Sequence, residues 1–211
     1  MALRSIETTL CAYRFIGDAE GIGFARNARG SVLRFQGRLA PALRDLSASL
    51  AEAHSRGDRE AIDYRRAAIA GCLRERGRRG DYARSYDLYS LAAAGAARRR
   101  DTYLRAYAAC GRANALRMLG RLEEALPLFD EAERLYKRIG DRASYAYTLW
   151  ARAMLRATRR LPGDLPRAAR DLAAAKRLFV ATKDPRGLRH VARGAKALAL
   201  ARRGRTPPFL P

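Results

Sequence analysis

Aromatic, amide and guanidinium side chains recur at matched places along this 211-residue chain, and their types suit recognition better than bond-making. Phe24, Tyr64, Tyr107 and Tyr147 form one column, with Val191 last. Three residues on stand Asn27, Ala67, Cys110, Trp150 and Gly194, and four further on Ser31, Gly71, Asn114, Met154 and Leu198. Arg34, Arg74 and Arg117 follow three residues later. Spacings of three and four put all of these on one face of a helix. Such a face, with tyrosine walls and a basic end, fits a peptide carrying acidic groups, because a guanidinium fork matches a carboxylate. The alternative is that the tyrosines pack between neighbouring elements and the arginines are solvated. Trp150, the sole tryptophan, is the strongest contact candidate, since a large amphipathic ring is a common interface anchor. A second cationic set, Arg29, Arg112, Arg152 and Lys196, returns at the same period and is interrupted at Ile69. A ladder of that kind could grip a regularly spaced anion such as a phosphate backbone.

Residues for catalysis are harder to find. GIGFARNARG (21–30) has the glycine spacing of a phosphate loop but lacks a preceding strand. No Ser-His-Asp, HExxH or paired-carboxylate arrangement stands out, and Glu123 and Glu124 occupy the exposed start of a helix, where negative charge favours the dipole. His54 and His190 are isolated, and Cys11, Cys72 and Cys110 are an odd number without CxxC spacing. They are expected to be free, part-buried thiols in a reducing cytoplasm. Neither an enzyme, a metal site nor a cofactor is expected.

Helix formers (Ala, Leu, Arg) dominate the composition and no region shows Val, Ile and Thr alternating at period two, so the chain is expected to be all-α. An arginine interrupts every apolar run before it reaches the roughly 18 residues of a membrane span. MALRSIETTLCAYRF lacks the apolar core of a signal peptide, so a cytoplasmic location is expected. The net charge of +22 is uneven, with +9 on residues 1–139 and +13 on residues 140–211. Such an excess attracts acidic proteins, nucleic acid or anionic surfaces, although an arginine-and-alanine bias also arises from coding composition alone.

The elements that must position these residues are repeated. Asp18, Asp58, Asp101, Asp141 and Asp184 are spaced 40, 43, 40 and 43 residues apart, each after Gly17, Gly57, Arg100, Gly140 or Lys183. Glycine, or its replacement, ends one helix and aspartate caps the next. Leu33, Leu73, Leu116 and Leu200 stand ahead of Gly37, Gly77, Gly120 and Gly204, and small residues precede the leucines at Gly30, Ala70, Ala113 and Ala197. In the second half of each unit, Ala42, Ser85, Ala125 and Ala168 lead to Leu46, Tyr89, Phe129 and Leu172, then to Ser49, Ala92, Ala132 and Ala175. Units two and four carry three extra residues in GRRG (77–80) and RLPG (160–163). Each unit is thus a helix, a tight turn and a second antiparallel helix. The pattern predicts a single solenoid over 1–205: a half repeat 1–16, units 17–56, 57–99, 100–139 and 140–182, a half repeat 183–205, then a tail 206–211.

LGRLEEALPLFDEA (119–132) resembles the tetratricopeptide repeat, with its Leu-Gly, acidic residue, Ala, aromatic and Ala at that family's offsets. The period of about 40 resembles the longer variant of bacterial regulators and kinesin-light-chain-like arrays. The resemblance covers about residues 5–205 and is most specific in the third unit. It implies a right-handed α-α superhelix of about ten helices, whose concave side is lined by first helices and holds a peptide. Where the family carries leucine before the small residue, this chain has Arg29, Arg112, Arg152 and Lys196; either these side chains snorkel to water or the helices are rotated. Of the family's clamp for a C-terminal carboxylate only Asn27 and Asn114 fall at comparable places and the lysines are missing, so chaperone tails are not an expected ligand.

These readings converge on a non-enzymatic, bacterial-type scaffold or adaptor that binds a protein or peptide, acidic in character, through its groove. Nucleic-acid binding by the basic fourth and fifth units is the alternative. A sensor or oligomerisation segment, self-associating through its end helices, is a third. No membrane insertion is expected.

Overall fold

The computed structural model describes residues 2–205; the tail 206–211 lies outside the described residues. The chain folds into α1 (Ala2–Phe15), α2 (Ala19–Phe35), α3 (Leu39–Ser55), α4 (Arg59–Arg76), α5 (Asp81–Arg99), α6 (Thr102–Met118), α7 (Leu122–Ile139), α8 (Arg142–Arg159), α9 (Asp164–Ala181) and α10 (Pro185–Arg202). Among the described residues there is no strand, and no helix is long and apolar enough to cross a membrane.

The five spaced aspartates all do the same work. Oδ1 of Asp18, Asp58, Asp101, Asp141 and Asp184 accepts the amide N–H of Gly21, Ala61, Leu104, Ser144 and Gly187, each at 2.9 Å. Each cap satisfies one of the free amides that open a helix. The residue before each aspartate is left-handed, with φ of 72° at Gly17, 67° at Gly57, 58° at Arg100, 74° at Gly140 and 51° at Lys183. The turn inside each unit is marked the same way by Gly37, Gly77, Gly120 and Gly204, and by Arg160 with φ 56° at that place in unit four; the longer turns of units two and four add left-handed Gly80 and Gly163.

The chain divides into two compact units, Met1–Leu104 and Arg105–Pro211. Within the first, α1 packs on α2, α2 on α3, α3 on α4 and α4 on α5. Within the second, α7 packs on α8, α8 on α9, and α10 on both α9 and α8. Helices therefore bury themselves against their chain neighbours in consecutive pairs, the packing of an α-α solenoid. The core repeats accordingly: Leu33, Ala42, Leu46, Ile69, Cys72 and Leu73 form one cluster, and Ala106, Ala109, Ala132, Leu135 and Tyr136 another. Large and small side chains alternate across the contacts. A Cβ at Gly21 would lie 2.3 Å from the Tyr13 ring and one at Gly187 2.2 Å from the Phe179 ring. Alanines stand at the corresponding places Ala53 and Ala61.

The longer turns of units two and four share a clamp. Asp81 accepts both Nε (2.8 Å) and Nη2 (2.7 Å) of Arg76, and Asp164 accepts Nε (2.9 Å) and Nη2 (2.8 Å) of Arg159. Each carboxylate also accepts a backbone amide, from Arg78 and Leu161 respectively, both at 3.0 Å. The Arg76 guanidinium holds Asp81 below the usual carboxylate range; at Asp164 burial opposes ionisation, but Arg159 and the Leu161 amide outweigh it and lower the pKa as well.

Candidate functional site

The residues singled out for a groove are mostly committed within the fold. Tyr64 donates its hydroxyl hydrogen to Oδ2 of Asp101 and Tyr147 to Oδ2 of Asp184, both at 2.9 Å. Burial and the carboxylate raise both phenols, Tyr147 to about 12. These tyrosines bond the aspartate that caps the following unit. Tyr107 is half-buried, whereas Phe24, at the same place in unit one, is 64% exposed.

Trp150 is only 5% exposed and Met154 4%. The structure brings the two together beside Gly194, where an added Cβ would lie 3.0 Å from Met154 Cε and 3.3 Å from Trp150 Nε1. The His190 ring lies tilted at 51° against Trp150 with centroids 4.5 Å apart, and meets Tyr147 edge-on at 5.8 Å. Counted from its capping aspartate, His190 rather than Val191 stands sixth in α10, so the aromatic column continues through it. Burial, with Arg186 and Arg193 nearby, lowers the His190 pKa to about 4. The ring is neutral near pH 7.

Asn114 and Arg117 are buried neighbours, Arg117 Nη2 lying 3.4 Å from Asn114 Oδ1. Arg34 and Arg74 share Glu75, each at 3.8 Å. Asn27 is half-buried and its Oδ1 lacks a hydrogen-bond partner.

The cationic ladder divides into different roles. Arg29 donates two bonds to Asp45, at 2.7 and 2.8 Å. Arg152, 7% exposed, donates twice to Asp171 at 3.0 Å and also contacts Asp130 and Glu133. Desolvation opposes its charge, but the surrounding carboxylates outweigh it and raise the pKa. Arg112 is half-buried. Lys196 is exposed, and no carboxylate partner is found for it among the described residues. In unit two Ile69 faces the apolar cluster that also holds Leu88. Two hairpins thus close with an ion pair, Arg29 with Asp45 and Arg152 with Asp171; at the same places unit two has Ile69 and Leu88, and unit three Arg112 and Leu128. The sequence signal was the Arg-Asp-Leu run of both second helices, at 44–46 and 170–172.

One surface left open lies at α9 and α10. Residues 160–205 hold thirteen Lys and Arg and three carboxylates. Asp164 and Asp171 are buried in ion pairs, and Asp184 caps α10 while accepting from Tyr147. Twelve of the thirteen cations are exposed; Arg186 alone is half-buried. Arg189, Arg193 and Lys196 follow one another at helical spacing along α10. Beside them runs a groove of about 520 Å3, floored by Leu172, Leu188, Val191, Ala195 and Leu198, with Lys176 and Arg202 at its edge. Composition signalled the charge here; the groove was not foreseen.

Among the described residues no three His, Cys, Asp or Glu side chains come together as a metal site. Burial raises the Cys72 thiol to about 11, which leaves it protonated at neutral pH. No family model and no curated protein matches the chain.

Proposed function

We propose that this protein is a non-enzymatic binding module of the tetratricopeptide-like kind whose partner is an acidic protein segment, held by the cationic surface of α9 and α10. The observation that carries this reading is the fate of the carboxylates. Two of the three in residues 160–205, Asp164 and Asp171, are buried in ion pairs with Arg159, Arg152 and Arg156, which leaves Asp184 alone to offset the twelve exposed cations. Such a one-signed field raises the local concentration of an acidic ligand and speeds encounter. The first-helix face is a weaker candidate, because Tyr64, Tyr147 and Arg152 already have partners and Trp150 is buried.

Nucleic acid is the second reading, and the helical row Arg189, Arg193 and Lys196 favours it. The adjoining apolar groove favours protein, since a phosphate backbone makes no use of leucine-lined space. Titration with polyglutamate and with single-stranded RNA at about 50 mM salt separates them by which polymer binds the more tightly, since both polyanions lose affinity as salt rises. Polyglutamate binding should weaken at least tenfold in Arg189→Glu/Arg193→Glu. Binding to neither polymer at low salt would end the reading, and RNA binding alone would favour the second.

A further inference from the structure

Three open features compete: exposed Phe15 and Ile16 after α1, the half-buried Asn27 amide, and the α9–α10 groove with its cations. The third carries an argument about what covers it, because the same chain shows the equivalent face covered elsewhere.

In unit one the face of α2 next to its turn is covered by α3. Arg29, eight residues before left-handed Gly37, is held there by Asp45, and a Cβ at Gly30 would meet Leu46 Cγ at 2.7 Å. In unit four Arg152, eight residues before left-handed Arg160, is held by Asp171 of α9. The covering helices carry one pattern, ALRDLSAS at 42–49 and AARDLAAA at 168–175. It places a small residue, an aspartate beside a leucine, and a second small residue on successive turns of one face. Counted back from the turn, Lys196 stands eight residues before left-handed Gly204, as Arg29 and Arg152 stand before theirs; α10 is one residue longer between cap and turn, so the turn-side half is shifted by one against the aromatic column. Here the cation is exposed, and among the described residues α10 packs only on α9 and α8. Beside it the alanine face Ala192, Ala195 and Ala199 is exposed, and Leu188 and Leu198 lie in the groove.

We infer that this face of α10 receives a helix of an acidic partner protein, bearing an aspartate next to a leucine between two small residues, as α3 covers α2. The inference rests on the acidic-partner reading and adds the form of the ligand. Alanines permit close approach of a helix backbone, the groove takes the leucine, and Lys196 takes the aspartate. Arg189 and Arg193 meet further acidic residues on the helix flank.

The test uses the full chain and synthetic helical peptides, read by fluorescence anisotropy at about 50 mM salt. The probe is the sequence of residues 39–55, compared with its Asp45→Lys counterpart and with polyglutamate. The native-sequence peptide should bind at least tenfold more tightly than Asp45→Lys, and the preference should invert in protein Lys196→Glu. Lys196 is exposed, so this variant retains the fold, checked by circular dichroism. Equal binding of both peptides, or polyglutamate binding without the native-sequence peptide, overturns the helix inference and leaves the acidic-partner reading standing. If neither peptides nor polyglutamate bind, both fall. A dimer that dissociates in Lys196→Glu would make the occupant a second copy and overturn the inference.

Discussion

The Tyr147 hydroxyl donates a 2.9 Å hydrogen bond to Oδ2 of Asp184, whose other oxygen caps α10 through the Gly187 amide. Tyr64 makes the same bond to Asp101, also 37 residues away, and Asp101 caps α6 through Leu104. A residue type suited to ligand contact is thereby used to fasten one hairpin to the start of the next. Tyr64→Phe and Tyr147→Phe should each lower unfolding free energy by about 1 kcal/mol in denaturant titrations. Polyglutamate affinity should stay unchanged. Lost affinity at unaltered stability would return these tyrosines to recognition.

Arg100 and Lys183 hold φ of 58° and 51° where the equivalent residues are glycines. A side chain in that region crowds its own carbonyl, while glycine does not. Arg100→Gly and Lys183→Gly should each stabilise the protein by about 0.5 kcal/mol, the strain relieved being partly offset by added freedom in the unfolded chain. Gly140→Ala should cost about 1 kcal/mol. Urea midpoints compared at fixed m decide the sign.

Arg29 and Asp45 form a part-buried pair where unit two uses Ile69 and Leu88. Asp45→Leu alone leaves a guanidinium facing the hairpin and should cost about 2 kcal/mol. Arg29→Ile with Asp45→Leu should recover most of that loss, because the pair becomes the apolar one unit two already contains. A double-mutant cycle without favourable coupling would show that the two positions do not act as a pair.

His190 lies against Trp150 and Tyr147, with Arg186, Arg193 and Arg189 disfavouring its charge and Asp184 favouring it. Its pKa falls from 6.5 to about 4 on folding, so between those values the unfolded chain binds the extra proton. The stability contributed by neutral His190 is whole above pH 6.5 and is lost as pH falls towards 4. Melting temperatures should decline across that window. In His190→Asn the decline should flatten.

The five caps were legible because capping is local: an aspartate, a left-handed residue before it and a free amide three residues on are all within one turn. The aromatic column was legible as a column but not as a role. Whether Tyr147 faces a ligand or Asp184 depends on a helix 37 residues away, and spacing within one helix carries no information about it. The burial of Trp150 was not legible for the same reason, since Gly194 and His190, which lie against it, are on α10.

The amino-acid sequence alone determined about ten helices, the aspartate caps of five of them and the period at which hairpins recur, since each follows from contacts among residues close in the chain. Which cations remain available was decided only by tertiary structure. Arg29, Arg152 and Lys196 look alike in the sequence, yet two meet aspartates on a packed neighbour and one meets solvent. A charge is neutralised or left open by what lies across the helix interface, and that neighbour is brought there by the fold.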